Sequence, residues 1–339
     1  MANIAVLGAG AFGTALAVLA AGQGHRVSLW ASNPESLEAI RKDGENRKRL
    51  PGVTVPESIY LSHQLEDAAQ AELILLAVPS FAVRQTAAKL RPYFSPDRQT
   101  VVSVAKGLEA GTLKRFSQVL EEELGVPPVI LSGPSHAEEI AVGVPTTVVA
   151  ASRRRADAEW VQDQLMSPAL RIYVSDDVTG VELGGALKNI IALAVGACDG
   201  LELGDNARAA LMTRGITEIA RLGVAMGARS ETFAGLSGIG DLIVTCTSRH
   251  SRNRRAGLLI GRGCDAQQAL AQVGSTVEGY FAADAAYRLA ESLGVEMPII
   301  RQVHQVLHEG KMPRDAIAAL MERPKRHESE TIWLLSSSR

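Results

Sequence analysis

A chain of 339 residues, 46% hydrophobic and 21% charged, can bury a sizeable core and is expected to form two domains. Its formal net charge of −2 argues against a general attraction to nucleic acid or acidic membranes. Three cysteines (Cys198, Cys246, Cys264), an odd number with no CxxC, argue against a disulfide framework and a zinc site, and fit a reducing cytoplasm.

Met1 to His25 carries no charged side chain and could pass for a signal or membrane segment, but no basic residue precedes it and five glycines interrupt it. No other span is expected to be long enough to cross a bilayer. Asn3 to Leu7 (NIAVL) reads as a strand, Gly8 to Gly13 (GAGAFG) as a turn, and an alanine-rich helix runs on to about Gly22. Strand, G-x-G-x-x-G and helix form the setting a dinucleotide fingerprint needs. Gly8 permits the tight turn, Gly10 lets the backbone approach a pyrophosphate, and Gly13 lets helix and strand pack closely. The helix N-terminus then offers free N–H groups to the phosphates.

A second strand, Arg26 to Trp30, is followed by Ser32 and Asn33, and no carboxylate appears until Glu35. An NAD site would usually place an acid there for the ribose 2′-OH. Hydroxyl and amide donors would accept a 2′-phosphate instead, with Arg41 or the group Arg47, Lys48 and Arg49 as cations within reach. The expected cofactor is therefore NADP(H), with NAD(H) left open. Glu72 to Pro79, Thr100 to Val104 and Pro128 to Ser132 read as buried strands with helices between, and each ends in a polar or glycine-rich tip. Lys106, straight after one of them, is placed to meet a phosphate or carbonyl oxygen, unless it is simply exposed. Thr146 to Ala151 and Leu170 to Val174 read as further strands, and Arg153, Arg154 and Arg155 as a solvated face.

Thr179 to Gly200 (TGVELGGALKNIIALAVGACDG) reads as a helix over about 181–197, with Thr179 as a cap and Glu182 as an acid in its first turn. From Leu183 to Ala197 the strongly polar side chains are Lys188 and Asn189 alone, so the helix belongs in a core. Desolvation would lower the pKa of Lys188 toward the range of proton exchange. The competing reading buries the stem and leaves the amine at the surface. Later helices are expected at about 206–226, 231–235, 253–261, 265–272, 278–293, 298–309 and 313–321. Three motifs lie among them. Asp241, glycine-flanked in LSGIGDLIVTC, needs a partner, for which Lys188 is a candidate. His250 to Arg255 (HSRNRR) sets three arginines and Asn253 just before a helix, which suits a phosphate dianion. In GSTVEG, Glu278 is either a capping acid or a cofactor contact. The expected organisation is a Rossmann domain over 1–178, an all-helical domain over 179–323 and a tail over 324–339, whose Trp333, Leu334 and Leu335 could dock.

GAGAFGTALA, VSVAKGLE, LSGPSHAEE, GGALKNIIALAVG, GIGDLIVTC and SRNRR, in this order, resemble the bacterial NAD(P)-dependent glycerol-3-phosphate dehydrogenases from residue 3 to about 323. The resemblance implies an α/β fold with an N-terminal doubly wound Rossmann sheet and an all-α C-terminal domain like that of 6-phosphogluconate dehydrogenase, usually as a cytoplasmic homodimer. It implies reversible reduction of dihydroxyacetone phosphate to sn-glycerol 3-phosphate for phospholipid synthesis, without a metal. By position, Lys188 resembles the family's proton donor and acceptor, Lys106 the lysine that meets both cofactor and substrate, and Asp241 the acid of the site. Gly133, Ser135, Asp241, Thr245, Ser251, Arg252 and Asn253 match substrate positions. Gly8, Gly10, Ala11, Phe12, Gly13, Ser32, Ala137, Arg252, Val277 and Glu278 match cofactor positions. Ala11-Phe12 departs from the Ser/Thr-aromatic pair common there, and Ser32 from a basic residue or His. A related two-domain reductase of a 2-keto or 3-hydroxy acid is the competing enzyme reading, although SRNRR is more cationic than a carboxylate needs. A nucleotide sensor that binds NADP without turnover would have no use for a lysine in an apolar helix.

Overall fold

The structure, a computed structural model, describes residues 1–325 and Glu328, so Trp333, Leu334 and Leu335 lie outside the described residues. The chain divides into two compact units, one of Met1–Ala105 with Phe116–Val178, the other of Lys106–Arg115 with the chain from Thr179 onward.

The first unit is built on eight strands: β1 (Asn3–Leu7), β2 (Arg26–Trp30), β3 (Tyr60–Ser62), β4 (Leu73–Leu76), β5 (Thr100–Ser103), β6 (Val129–Ser132), β7 (Thr146–Ala151) and β8 (Leu170–Ser175). Their order is β3-β2-β1-β4-β5-β6-β7-β8, parallel throughout except between β6 and β7. The three-residue β3 is absent from the sequence reading because so short a segment cannot display a period. Six helices cover the sheet: α1 (Ala11–Gly22), α2 (Pro34–Asp43), α3 (Val83–Leu90), α4 (Phe116–Leu124), α5 (Ala137–Ala141) and α6 (Arg155–Leu165). Strand periodicity divides the core in two. Ile4 and Val6 of β1 join Leu16 of α1 and Val161 of α6, while Ala5 and Leu7 join Val83 of α3 and Phe116 of α4. Both faces are therefore apolar, as a parallel sheet requires. The strand order reverses between β1 and β4, which marks the switch point where such sheets bind ligands.

The second unit is helical: α7 (Val178–Gly200), α8 (Gly204–Ala225), α9 (Ser230–Phe233), a π turn at Leu236–Gly240, α10 (Asp241–Thr247), α11 (Arg252–Gly261), α12 (Ala266–Val273), α13 (Glu278–Leu293), α14 (Pro298–His308) and α15 (Pro313–Met321). α7 begins at Val178, so Thr179 lies inside the helix and does not cap it. Glu182 is likewise beyond the first turn; it is buried and bound to Arg115 at 2.5 Å. α7 is also long and apolar enough to cross a membrane, contrary to the expectation from sequence, but 89% of its most apolar stretch is buried, which makes it the core helix of this unit.

Close helix crossings depend on glycine. A Cβ on Gly196 of α7 would lie 2.1 Å from the Arg254 carbonyl oxygen, and one on Gly257 of α11 would lie 2.0 Å from that of Leu193. Gly200 and Gly261, one turn further along each helix, repeat the contact at 2.4 and 2.3 Å from Leu258 and Ala197 oxygens. Backbone meets backbone there, and no larger residue fits.

Candidate active site

In the sheet unit, Gly8 has φ +124°, and a Cβ on it would lie 2.5 Å from the Ala77 oxygen. A Cβ on Gly13 would fall 1.9 Å from the Gly8 oxygen, so α1 packs directly on the turn. A Cβ on Gly10, in contrast, would meet nothing within 4 Å. The first bond of α1 runs from the Thr14 N–H to the Gly10 oxygen, and no side chain caps the helix, which leaves the amides of Ala11, Phe12 and Gly13 as N-terminal donors. One open glycine face and a row of amide donors fit the pyrophosphate of a dinucleotide. Asn46, which the sequence reading missed, ties this loop in place by donating to the Ala9 oxygen at 3.1 Å and to Thr14 Oγ1 at 2.8 Å.

After β2, Ser32 is exposed, and Asn33 accepts from the Glu35 N–H to cap α2. Arg41 is paired with Glu38, and Arg47 approaches Asp43 at 3.7 Å, so two of the four cations offered by sequence already face carboxylates. Ser32 shares a surface pocket with Trp30, His63, Gln64, Lys89 and Tyr93. Gly133 (φ +127°) follows β6, the Ser135 hydroxyl donates to the Gly133 oxygen at 2.9 Å, and Ala137 opens α5.

The helical unit gathers four of the expected site residues. Asp241, the first residue of α10, has a side chain only 1% exposed. One of its oxygens accepts from Lys188 Nζ and the other from Lys106 Nζ at 2.8 Å. Lys188 also donates to Thr245 Oγ1 at 2.7 Å, and that hydroxyl donates to the Asp241 carbonyl at 2.6 Å. Gly184 sets the spacing. A Cβ there would lie 2.3 Å from the Ser237 oxygen, so α7 touches the backbone that leads into Asp241. Burial pushes the Lys188 ammonium down to about 7; the carboxylate of Asp241 opposes the shift and the charge of Lys106 adds to it. The alternative of a surface-reaching amine is thus overturned: Lys188 is 6% exposed. Two lysines on one carboxylate can hold a net positive charge out of water, which suits an oxygen that gains negative charge.

Asn253 donates to Asn189 Oδ1 at 2.9 Å and accepts from the Gly279 N–H at 2.8 Å, which links α7, α11 and α13. The three arginines of HSRNRR do not share one setting. They lie in the first turn of α11, which Ser251 caps through the Arg254 N–H, and Arg254 itself is tied to Asp199 at 2.6 Å. Arg252 and Arg255 are exposed. Val277 is the buried N-cap of α13, and Glu278 is its first helical residue and not its cap.

A doubly wound dinucleotide fold followed by a helical unit that carries a desolvated, carboxylate-bound lysine defines a class: nicotinamide-dependent dehydrogenases. Within it, the chain belongs to the NAD-dependent glycerol-3-phosphate dehydrogenase family, whose N-terminal model matches residues 3–158 and whose C-terminal model matches residues 177–318. It is 57% identical over 330 residues to a protein of Moorella thermoacetica named glycerol-3-phosphate dehydrogenase (NAD(P)+), covering 97% of this chain and 98% of that one. It is similar to the crystal structure of glycerol-3-phosphate dehydrogenase from Coxiella burnetii, with a TM-score of 0.91 and 40% identity over 95% of this chain and 99% of the other. A ketopantoate reductase family structure from Ralstonia eutropha shares the fold alone, at a TM-score of 0.61 and 17% identity over 93% of this chain and 99% of that one. The fold therefore does not separate the two enzyme readings, and the sequence identity does.

Proposed function

We propose that this protein catalyses the reversible NAD(P)H-dependent reduction of dihydroxyacetone phosphate to sn-glycerol 3-phosphate, supplying phospholipid synthesis, and works as a cytoplasmic homodimer. The observation that carries the reading is Lys188, held by Asp241 and Thr245 with its pKa near 7. The glycine loop would hold the pyrophosphate of a nicotinamide cofactor, which would supply the hydride that C2 of the ketone gains. Lys188 gives its proton to the C2 oxygen, so the carbonyl becomes a secondary alcohol and the amine is left neutral. In the reverse direction the neutral amine takes that proton back. A donor poised near neutrality serves both directions. Asp241 holds the amine in place, and Lys106 adds positive charge where the oxygen becomes negative. The exposed Arg252 binds the phosphate, and that contact fixes which face of the carbonyl is presented.

The cytoplasmic reading rests on three cysteines, an odd number, with no CxxC among them. The dimer rests on the family resemblance, and light scattering of the purified protein tests it. The functional test is oxidation of NADPH and of NADH with dihydroxyacetone phosphate beside ketopantoate. Turnover confined to the phosphorylated ketone supports the reading, and turnover with ketopantoate overturns it. With no carboxylate after β2 before Glu35, NADPH is expected to serve at least as well as NADH, and Ser32→Asp is expected to shift the kcat/KM ratio toward NADH.

A further inference from the structure

Lys106 is delivered by a closed loop. Lys106–Arg115 leaves the sheet unit between β5 and α4 and packs with the helical unit. Leu108 enters the helical core at 6% exposure, and Leu113 packs against it. Leu108 pairs with Arg115 across an antiparallel bridge. The Glu109 N–H donates to the Lys114 oxygen and the Leu113 N–H to the Glu109 oxygen, each at 2.9 Å. Leu113 has φ +59°, a conformation a leucine keeps only where its surroundings impose it.

Apolar contact alone does not fix such a loop along α7, because burial of leucine is non-directional. A charged pair is directional. Arg115 Nη1 lies 2.5 Å from Glu182 Oε2, with side chains 7% and 5% exposed. Breaking so buried an ion pair is costly, so the contact favours one register. Glu182 and Lys188 share α7. The loop is therefore held to that helix at Arg115, while Lys106, across the Leu108–Arg115 bridge, reaches the carboxylate that Lys188 also binds.

We infer that the buried Arg115–Glu182 pair is a positioning device for catalysis: it clamps the 106–115 loop to α7 and thereby holds the Lys106 ammonium on Asp241. The inference rests on the reading of Lys106 as a residue of the active site. Without the clamp the loop drifts and Lys106 leaves Asp241. The charged groups bound around Lys188 are Asp241 of α10 and Lys106 of the loop, so loss of Lys106 leaves Lys188 holding its proton more tightly.

The test uses the full-length enzyme carrying Glu182→Gln, Arg115→Met, Arg115→Lys, Lys106→Ala and the Arg115→Met/Lys106→Ala double change. Glu182→Gln and Arg115→Met are expected to lower kcat on the order of 10–100-fold, the cost of a misplaced group, and to move the pH limb of Lys188 upward. Arg115→Lys should recover part of the loss. In the Lys106→Ala background, Arg115→Met should cost little more, because its effect passes through Lys106. Amide exchange should rise at Glu109 and Leu113 in Glu182→Gln while α7 stays protected. Equal losses from Arg115→Met with and without Lys106, or unchanged exchange in the loop, would overturn the clamp. Wild-type turnover in Lys106→Ala would instead remove Lys106 from the site, with the exchange data still deciding whether the clamp exists. If Arg115→Met fails to fold, the near-isosteric Glu182→Gln carries the same expectations.

Discussion

Two aspartates in the helical unit each hold two cations: Asp241 between Lys106 and Lys188, and Asp199 between Arg208 and Arg254. Both carboxylates are nearly out of water, at 1% and 8% side-chain exposure, and α7 contributes a member to each group. The cations make the difference. Burial lowers a lysine's pKa toward neutrality, for Lys188 to about 7, whereas guanidinium stays charged under all ordinary conditions. The first group therefore has a proton to exchange near neutral pH, and the second links α7, α8 and α11 by charge. The same charge pattern yields chemistry or a staple according to which base the carboxylate holds.

The largest effect should come from turning the first group into the second. Lys188→Arg keeps the charge and removes the exchangeable proton, so turnover should fall by ~10²–10⁴-fold, the usual weight of general acid catalysis. The pH profile gives the sign. In the wild type, reduction needs the ammonium and should weaken as pH rises through about 7, while oxidation needs the free amine and should strengthen over the same window. Initial rates in both directions across pH check this, and a wild type with no inflection near neutrality would refute the assignment.

Next in size is the contrast between two arginines of α11. Arg252 is exposed, while Arg254 is engaged by Asp199. Arg252→Ala should raise the KM for dihydroxyacetone phosphate by ~10–100-fold, as expected for a lost charged hydrogen bond, and leave unphosphorylated dihydroxyacetone unaffected. Arg254→Ala should do the reverse, lowering the unfolding midpoint with little change in KM. Kinetics with both ketones, set beside thermal melts, separate the two.

Asp199→Asn should then destabilise the fold by about 3 kcal/mol, since it takes the countercharge from Arg254 and leaves Arg208 with Asp205 alone, at 2.8 Å. The side chains of Arg208 and Arg254 are 32% and 24% exposed, so solvent screening reduces that figure. Turnover of the folded variant should stay near wild type, as read from denaturant titration and kcat on one preparation.

The smallest effect concerns another buried acid, Glu218, which is hydrogen-bonded to backbone amides. Glu218 accepts from the Ile299 and Ile300 N–H groups at the start of α14, and burial pushes its carboxyl up to about 7. A carboxyl raised by folding contributes stability that is full below its ordinary value of 4.5 and is lost as pH climbs through about 7. Glu218→Gln cannot ionise, so this part of the pH dependence, of order 2 kcal/mol, should vanish. Unfolding midpoints at pH 5 and pH 8 should draw closer together than in the wild type.

The sequence by itself determined whatever depends on neighbours along the chain. The glycine turn between β1 and α1 is written in six consecutive residues, and the geometry of Gly8, Gly10 and Gly13 follows from what each position allows. The apolar run of α7 was enough to imply a desolvated Lys188, and an acid in an apolar setting was enough to suggest Asp241 as its partner. Helix and strand periods repeat within a few residues, which is why most of the elements were legible and β3 was not.

Only the tertiary structure decided which charges meet. Glu182 looked like a helix-start acid because the sequence could not show Arg115, and the arginines of HSRNRR looked like one phosphate cradle because it could not show Asp199. Lys106 looked like the tip of a sheet strand, yet it sits on the Asp241 of the helical unit. The glycines at 184, 196, 200, 257 and 261 give no local signal, and each is required by a backbone from another part of the chain. A buried charge must find a partner, but the identity of that partner depends on a packing whose contacts lie far apart in sequence.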